Sequence, residues 1–238
     1  MNTQTPRHAS LLMRMTCVML LTGCSVIASQ SEASPWKRLK QMIVGEIKPI
    51  APGPTPCLPT VDDLDLPESV AMDDARLRGD HLIVVRKADR RIQRFMGGEM
   101  VRLEDGSDGC WPVGLGFEPE GHKTRQGDGR TPEGWYRTSD KPWSQWYAAI
   151  AIHYPNADDA QVGSDNKIIS QGMARQIKTA LAKDKKPKQN TALGGEILIH
   201  GQGATDWTLG CVGMENDDID ALRATLPANM RTDVLVLP

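Results

Sequence analysis

The stretch Ile197 to Met214, Ile-Leu-Ile-His-Gly-Gln-Gly-Ala-Thr-Asp-Trp-Thr-Leu-Gly-Cys-Val-Gly-Met, constrains this chain more than any other. Ile197, Leu198 and Ile199 form a short apolar, β-branched run that reads as a buried strand and ends in His200. Gly201 and Gly203 break that run into a loop, and the chain returns at Thr208-Leu209-Gly210-Cys211-Val212. A loop that doubles back brings imidazole and thiol within reach of each other. That pair is the minimum for thiol catalysis: the base takes the thiol proton, and the sulfur attacks a carbonyl. Most cysteines are small buried hydrophobes, so spacing alone leaves the inert reading open.

Composition bounds what can surround this stretch. The chain has 238 residues, which allows one ordinary domain once processing segments are set aside. A net charge of −2 points to neither nucleic acid nor a strongly acidic substrate. Sixteen Pro and 22 Gly suit a loop-rich, mainly β protein better than a helical bundle.

The N-terminus reads as processing signal. Arg7, His8 and Arg14 precede the apolar run Met15–Leu21, too short to span a bilayer and suited to a secretory signal peptide over residues 1–23. Leu21-Thr22-Gly23-Cys24 resembles a bacterial lipobox, which implies that Cys24 is diacylated and becomes the mature N-terminus. A plain signal peptide or an uncleaved anchor are the alternatives. Ser25 resembles the outer-membrane sorting class. The expected location is the periplasmic side of the cell envelope, with acyl chains holding the protein on a membrane. Cys57, Cys110 and Cys211 then lie in an oxidising compartment, and three thiols leave one unpaired. A Cys57–Cys110 bond with Cys211 free suits a catalytic thiol; parity alone equally allows all three to be reduced.

Residues 24–77 read as a tether and approach segment. A short helix is possible from Pro35 to about Val44, followed by Pro49, Pro52, Pro54, Pro56 and Pro59, which favour stiff, extended chain. A short acidic helix is possible between Pro67 and Arg78.

Residues 78–238 read as the catalytic domain. His81–Val85 is a strand, Lys87–Arg90 a turn, and Arg91–Met96 an alternating, half-buried strand before the Gly97-Gly98 hairpin turn. Met100–Leu103 and Cys110–Leu115 complete a β-meander. Gly127-Asp128-Gly129-Arg130-Thr131-Pro132-Glu133-Gly134 is a turn-rich loop feeding a strand, in which Asp128, Arg130 and Thr131 read as internal scaffold. Tyr147–His153 reads as a strand, with His153 as a possible proton-transfer residue at its end. Ile169–Lys183 has apolar residues at helical spacing. Asn216 is placed as N-cap of a helix with the stripe Ile219, Leu222 and Leu226, and Val234–Leu237 is a closing strand. The fold class is mainly β with flanking helices. No phosphate-binding glycine loop and no Cys-x-x-Cys spacing suggests a cofactor, and no second ligand pair supports a zinc site on His200 and Cys211.

Three blocks together resemble the YkuD family of L,D-transpeptidases, nearest its YafK-type members. They are Gly-Asp-Gly-Arg-Thr-Pro from Gly127, Tyr154-Pro155-Asn156, and His200-Gly201 through Thr208-Leu209-Gly210-Cys211. The resemblance runs from about His81 to Val236. It implies a YkuD-type β-sandwich domain acting on peptidoglycan stem peptides through a Cys211 thioester, with His200 as base and the Gly201 carbonyl orienting the ring. Gly210 and Cys211 N–H groups are the expected oxyanion donors, with Thr208 and His153 beside the site. A Cys211 thiolate activated by His200 is expected to titrate below about 8.5. Two positions depart from the family pattern: Leu209 stands where many members have His, and Gly213 where many have Arg or Asn. These departures leave transpeptidase and hydrolase (carboxypeptidase or amidase) open, with a lipid-anchored, non-catalytic peptidoglycan-binding module as the remaining alternative. No nucleic-acid partner and no cofactor is expected.

Overall fold

The computed structural model describes residues 56–238. The expected signal segment, Cys24, the helix expected near Trp36 and most of the proline run lie outside the described residues. Among the described residues nine strands form one curled sheet: β1 (Leu82–Arg86), β2 (Arg91–Met96), β3 (Glu99–Met100), β4 (Cys110–Pro112), β5 (Gly134–Asp140), β6 (Ala149–Ile152), β7 (Leu198–His200), β8 (Val212–Gly213) and β9 (Asp233–Leu237). Three helices accompany them: α1 (Ala157–Asp165), α2 (Gln171–Ala182) and α3 (Asn216–Ala224). The order across the sheet is β3-β2-β1-β9-β5-β6-β7-β8, with β4 also on β2. Among the described residues no helix is long and apolar enough to cross a membrane.

The opening strands are not a simple meander. β2 pairs with β3 through Phe95 and Met96, and with β4 through Arg91–Gln93. β3 is two residues long, so the same edge of β2 has room for both. The closing strand is central: β9 runs parallel to β1 and antiparallel to β5. Its unbroken apolar sequence fits burial on both faces.

Strand alternation splits the apolar residues between the two faces of the sheet. Val234 and Val236 join Ile83, Ile92, Tyr136, Ile150, Ile152 and Ile199 in the main core, where α2 contributes Ala174 and Ile177 and α3 contributes Ile219 and Leu222. Leu235 and Leu237 face the other way, against Val61, Leu64, Val70, Leu77 and Phe95. Further along that second face, Ala149, Ala151 and Leu198 form a small cluster against which Trp146 and Cys211 pack.

Residues 58–77, read from sequence as the end of the approach segment, cover this second face of the sheet. Buried Gln93 bonds both polar groups of Leu58, accepting from its N–H at 3.3 Å and donating to its carbonyl at 2.9 Å. The helix expected between Pro67 and Arg78 is a 3-10 turn at Ala75–Arg78, with another at Val61–Asp63. Cys57 is bonded to Cys110, which pairs with Gln93 across β2 and β4, and Cys211 is free.

Two helix starts differ from their sequence reading. α1 has no strong apolar stripe and escapes a periodicity search; its signal is the cap. Asn156 Oδ1 accepts from the N–H groups of Asp158 and Asp159 at 2.9 and 2.8 Å, and the Asp159 carboxylate accepts from the Asn156 N–H at 2.8 Å. α3 begins at Asn216, with Glu215 in the cap position and no side-chain cap bond. Asn216 does not cap because its Oδ1 accepts from the Gln202 N–H at 2.9 Å.

Closing a loop of 53 residues by the Cys57–Cys110 bond removes about 4 kcal/mol of unfolded-chain entropy in the simplest chain model. Replacing both cysteines by Ser is expected to lower the urea unfolding free energy by about 2–4 kcal/mol. Peptide mapping without reductant should recover the 57–110 pair and a free Cys211 peptide; a Cys211 disulfide would contradict this connectivity.

Candidate active site

β7 and β8 are parallel, with Ile199 beside Val212 and His200 beside Gly213. The same register brings Cys211 beside Leu198. Alternation turns Ile199 and Val212 into the main core, so Leu198, His200 and Cys211 share the opposite face. Cys211 and His200 are thus placed on one face by strand register, two residues apart along neighbouring segments.

His200 is 2% exposed. Its Nδ1–H donates to the Gly201 carbonyl at 2.6 Å, which leaves Nε2 as the basic nitrogen. Gly201 is needed for space: a Cβ there would lie 2.6 Å from Asn216 Oδ1 and 3.1 Å from Tyr147. Trp146 stacks on the imidazole with ring centroids 5.5 Å apart and planes 28° apart, and Trp207 meets it edge-on at 5.8 Å. Burial lowers the His200 pKa, partly offset by the Gly201 carbonyl.

Cys211 keeps part of its surface open, and its Sγ donates to the Glu196 carbonyl at 3.6 Å. Enough protein surrounds the sulfur that desolvation pushes the thiol up to about 11, against the pull of the Leu198 N–H and Lys123. This shift runs opposite to the expected low-pKa thiolate. Burial thus favours the neutral form of both groups, imidazole and thiol.

The 11-residue connection from His200 to Val212 joins parallel strands, a task that usually takes a longer crossover with a helix. It is held instead by its own bonds. Asp206, 5% exposed, receives the Arg90 guanidinium on both oxygens at 2.7–3.1 Å and the Leu115 N–H at 2.8 Å. Thr208 pairs with the strand-like segment at Leu115–Phe117: its N–H donates to the Leu115 carbonyl and its own carbonyl accepts from the Phe117 N–H. The Thr208 hydroxyl donates to the Cys211 carbonyl at 2.8 Å and accepts from the Gly210 N–H at 3.1 Å. Gly210 has φ +121°, and a Cβ there would lie 2.5 Å from the Arg130 carbonyl oxygen.

The glycine-rich block at 127–134 is therefore a buttress for the loop. Asp128 accepts from Lys123 Nζ and from the N–H groups of Thr124, Arg125 and Arg130. Thr131 Oγ1 accepts from the Gly116 N–H at 3.2 Å.

His200 is bonded to Gly201, and Cys211 lies on the same sheet face, where Trp146 packs on its cluster and on the His200 ring. Gly210 and Thr208 lie in the loop but act on each other, so the Gly210 N–H is not free for an oxyanion; the Cys211 N–H is the other of the two expected donors. His153 is not brought to the pair. It lies on β6's continuation, beyond Ala151 on the side away from His200, with Nε2 on Ser139 Oγ at 3.0 Å and a pKa lowered by burial to about 4. Sequence reading missed Trp146, Arg90 and Asp206. The density of Trp between Trp111 and Trp146 was a signal for the first; the ion pair spans 116 residues and left none. Among the described residues no three of His, Cys, Asp and Glu converge as a metal site requires.

Fold and site define a mainly β domain that carries a thiol and an imidazole of fixed tautomer on one sheet face. The YkuD family model, the L,D-transpeptidase catalytic domain, matches residues 80–236, and the chain belongs to that family. It is 30% identical over 145 residues to YafK of Escherichia coli (strain K12), covering 59% of this chain and 44% of that protein. The chain thus spans less than half the length of that relative. Among solved structures it is similar to the helical cell shape determining protein Pgp2 of Campylobacter jejuni (20% identity, TM-score 0.43, 66% of this chain and 46% of that one). It is also similar to an L,D-transpeptidase of Mycobacterium tuberculosis H37Rv (14% identity, TM-score 0.36, 67% and 58%).

Two outcomes follow from this geometry. Iodoacetamide should alkylate Cys211 slowly at pH 7, with a rate that climbs as pH rises past 9; rapid alkylation at neutral pH would contradict the neutral resting pair. Asp206→Ala leaves the Arg90 charge buried without its partner and should cost about 3 kcal/mol in urea unfolding.

Proposed function

We propose that this protein is a peptidoglycan-modifying cysteine enzyme, an L,D-transpeptidase acting on peptide stems through a Cys211 thioester. The observation that carries the reading is the shared face of Cys211 and His200, with Nδ1–H held by the Gly201 carbonyl. Cys211 Sγ attacks the carbonyl that joins the L-centre of a diamino acid to a D-residue, and its proton passes to His200 Nε2. The tetrahedral intermediate collapses, the C–N bond breaks, and the leaving amine takes that proton. The Cys211 N–H is the proposed donor to the oxyanion. An acceptor amine then attacks the thioester, gives its proton to Nε2, and Cys211 is released as the thiol. Water in place of the amine makes the same site a carboxypeptidase or amidase.

A neutral ground state suits this sequence, because Nε2 must be unprotonated when the thiol gives up its proton. Activity should therefore fall as pH drops through the lowered His200 pKa, and hold at neutral pH.

The test is mass spectrometry of muropeptides incubated with wild type, Cys211→Ala and His200→Ala. Wild type should change the stems, and both variants should lose at least 100-fold in rate, on the order expected for removing a nucleophile or its base. Cross-linked or amine-exchanged stems mean transfer, and loss of the terminal residue alone means hydrolysis. Unaltered turnover by Cys211→Ala would overturn the assignment.

We further propose that the enzyme is a periplasmic lipoprotein, anchored through Cys24, on the strength of Leu21-Thr22-Gly23-Cys24. Cys24→Ala should abolish acyl labelling and release the protein from membranes; retention without an acyl group would refute it.

A further inference from the structure

We infer that Trp146 is a positioning residue for His200: its indole, laid on one face of the imidazole, fixes the ring plane and keeps water from it. This rests on the proposed role of His200 as base. The ring has three restraints. Gly201 holds Nδ1, Trp207 abuts an edge at 5.8 Å, and Trp146 covers a face at 5.5 Å, while Trp146 and Trp207 meet each other at 5.4 Å. Without the indoles the Gly201 bond alone would leave the ring free to rock about it.

The segment that carries Trp146 is fastened on each side of the site. Lys141 Nζ donates to Glu196 at 3.0 Å, and the Glu196 carbonyl is the acceptor of the Cys211 thiol. On the other side Tyr147 OH donates to Asp220 of α3 at 2.6 Å, with Tyr147 at φ +65°. A non-glycine residue held in the left-handed region is strained, and such strain persists where the surroundings demand a set side-chain direction. The direction demanded here carries Trp146 onto His200.

The indole also contributes to the burial that lowers the proton affinity of the ring. The titratable and charged groups on the packed elements are Cys211, Asp206 in its pair with Arg90, Glu215, Asp217, Asp218 and Asp220 at the start of α3, Arg223 of α3 in its pair with Asp140, and Lys141, in its pair with Glu196, and Tyr147 of the segment itself. Burial and the Gly201 carbonyl are what act on His200. Removing the indole admits water to one face, and water solvates an imidazolium better than an indole does. The His200 pKa should therefore rise towards its ordinary value, about 6.5.

The experiment is an NMR titration of the His200 ring in wild type, Trp146→Ala and Trp146→Phe, assigned with His200→Gln, alongside the pH profile of muropeptide turnover. Trp146→Ala should raise the His200 pKa by about 0.5–1 unit, move the acid limb of kcat/KM up by the same amount, and lower kcat about tenfold with KM little changed. Trp146→Phe, which keeps an aromatic face, should restore most of both. An unshifted or lowered His200 pKa in Trp146→Ala overturns the inference, as does a Phe variant no better than Ala. The titration needs no substrate, so a His200 shift in a protein that turns over no muropeptide upholds this inference and fails the proposed function.

Discussion

The parallel register of β7 and β8 is the constraint on which the site depends. One step of slippage would send His200 or Cys211 into the main core, because successive side chains point to opposite faces. The register is fixed by Ile199 and Val212, both fully buried in that core. It is also fixed by the loop, which is too short to adjust and is pinned by the Arg90–Asp206 pair, by Thr208 against Leu115–Phe117, and by Asn216 against Gln202. Chemistry at Cys211 therefore rests on packing on the opposite side of the sheet.

A buried ion pair is weak evidence of net stability, since desolvation opposes the attraction. The Arg90–Asp206 pair is better understood through geometry. Arg90 sits at φ +52° in the turn between β1 and β2, and its fork reaches both oxygens of one carboxylate. That fixes where the loop crosses the sheet, while the Leu115 N–H saturates the same carboxylate. The pair ties the turn between the first two strands to the loop before β8, so the site is complete only when both ends of that span have folded together.

Local features of this design were legible in the sequence, and long-range ones were not. His200 ending an apolar run and Cys211 after Gly210 could be read as a pair because the loop between them is short. The β1–β2 hairpin was legible from alternation about the turn at Lys87–Arg90, and the β2–β3 hairpin from Gly97-Gly98. The central position of β9 was not, because an apolar run declares burial on two faces without naming its neighbours. α1 was missed for want of an apolar stripe, although Asn156 and Asp159 form a reciprocal cap. Asn216 was read as a cap by its residue type, and the Gln202 N–H claimed it instead. The low-pKa thiolate was inferred from the neighbouring base; how much protein surrounds the sulfur is a tertiary fact with no local trace.

In the proposed reaction Cys211 carries the acyl group between donor and acceptor. Rapid quench in acid after mixing the enzyme with a stem tetrapeptide, followed by intact-mass analysis and peptide mapping, would capture that group in transit. The expected result is a transient adduct with the mass of the acyl portion of the stem, on the peptide containing Cys211 and removed by hydroxylamine. Turnover with no adduct at any quench time, or an adduct on another residue, would contradict it.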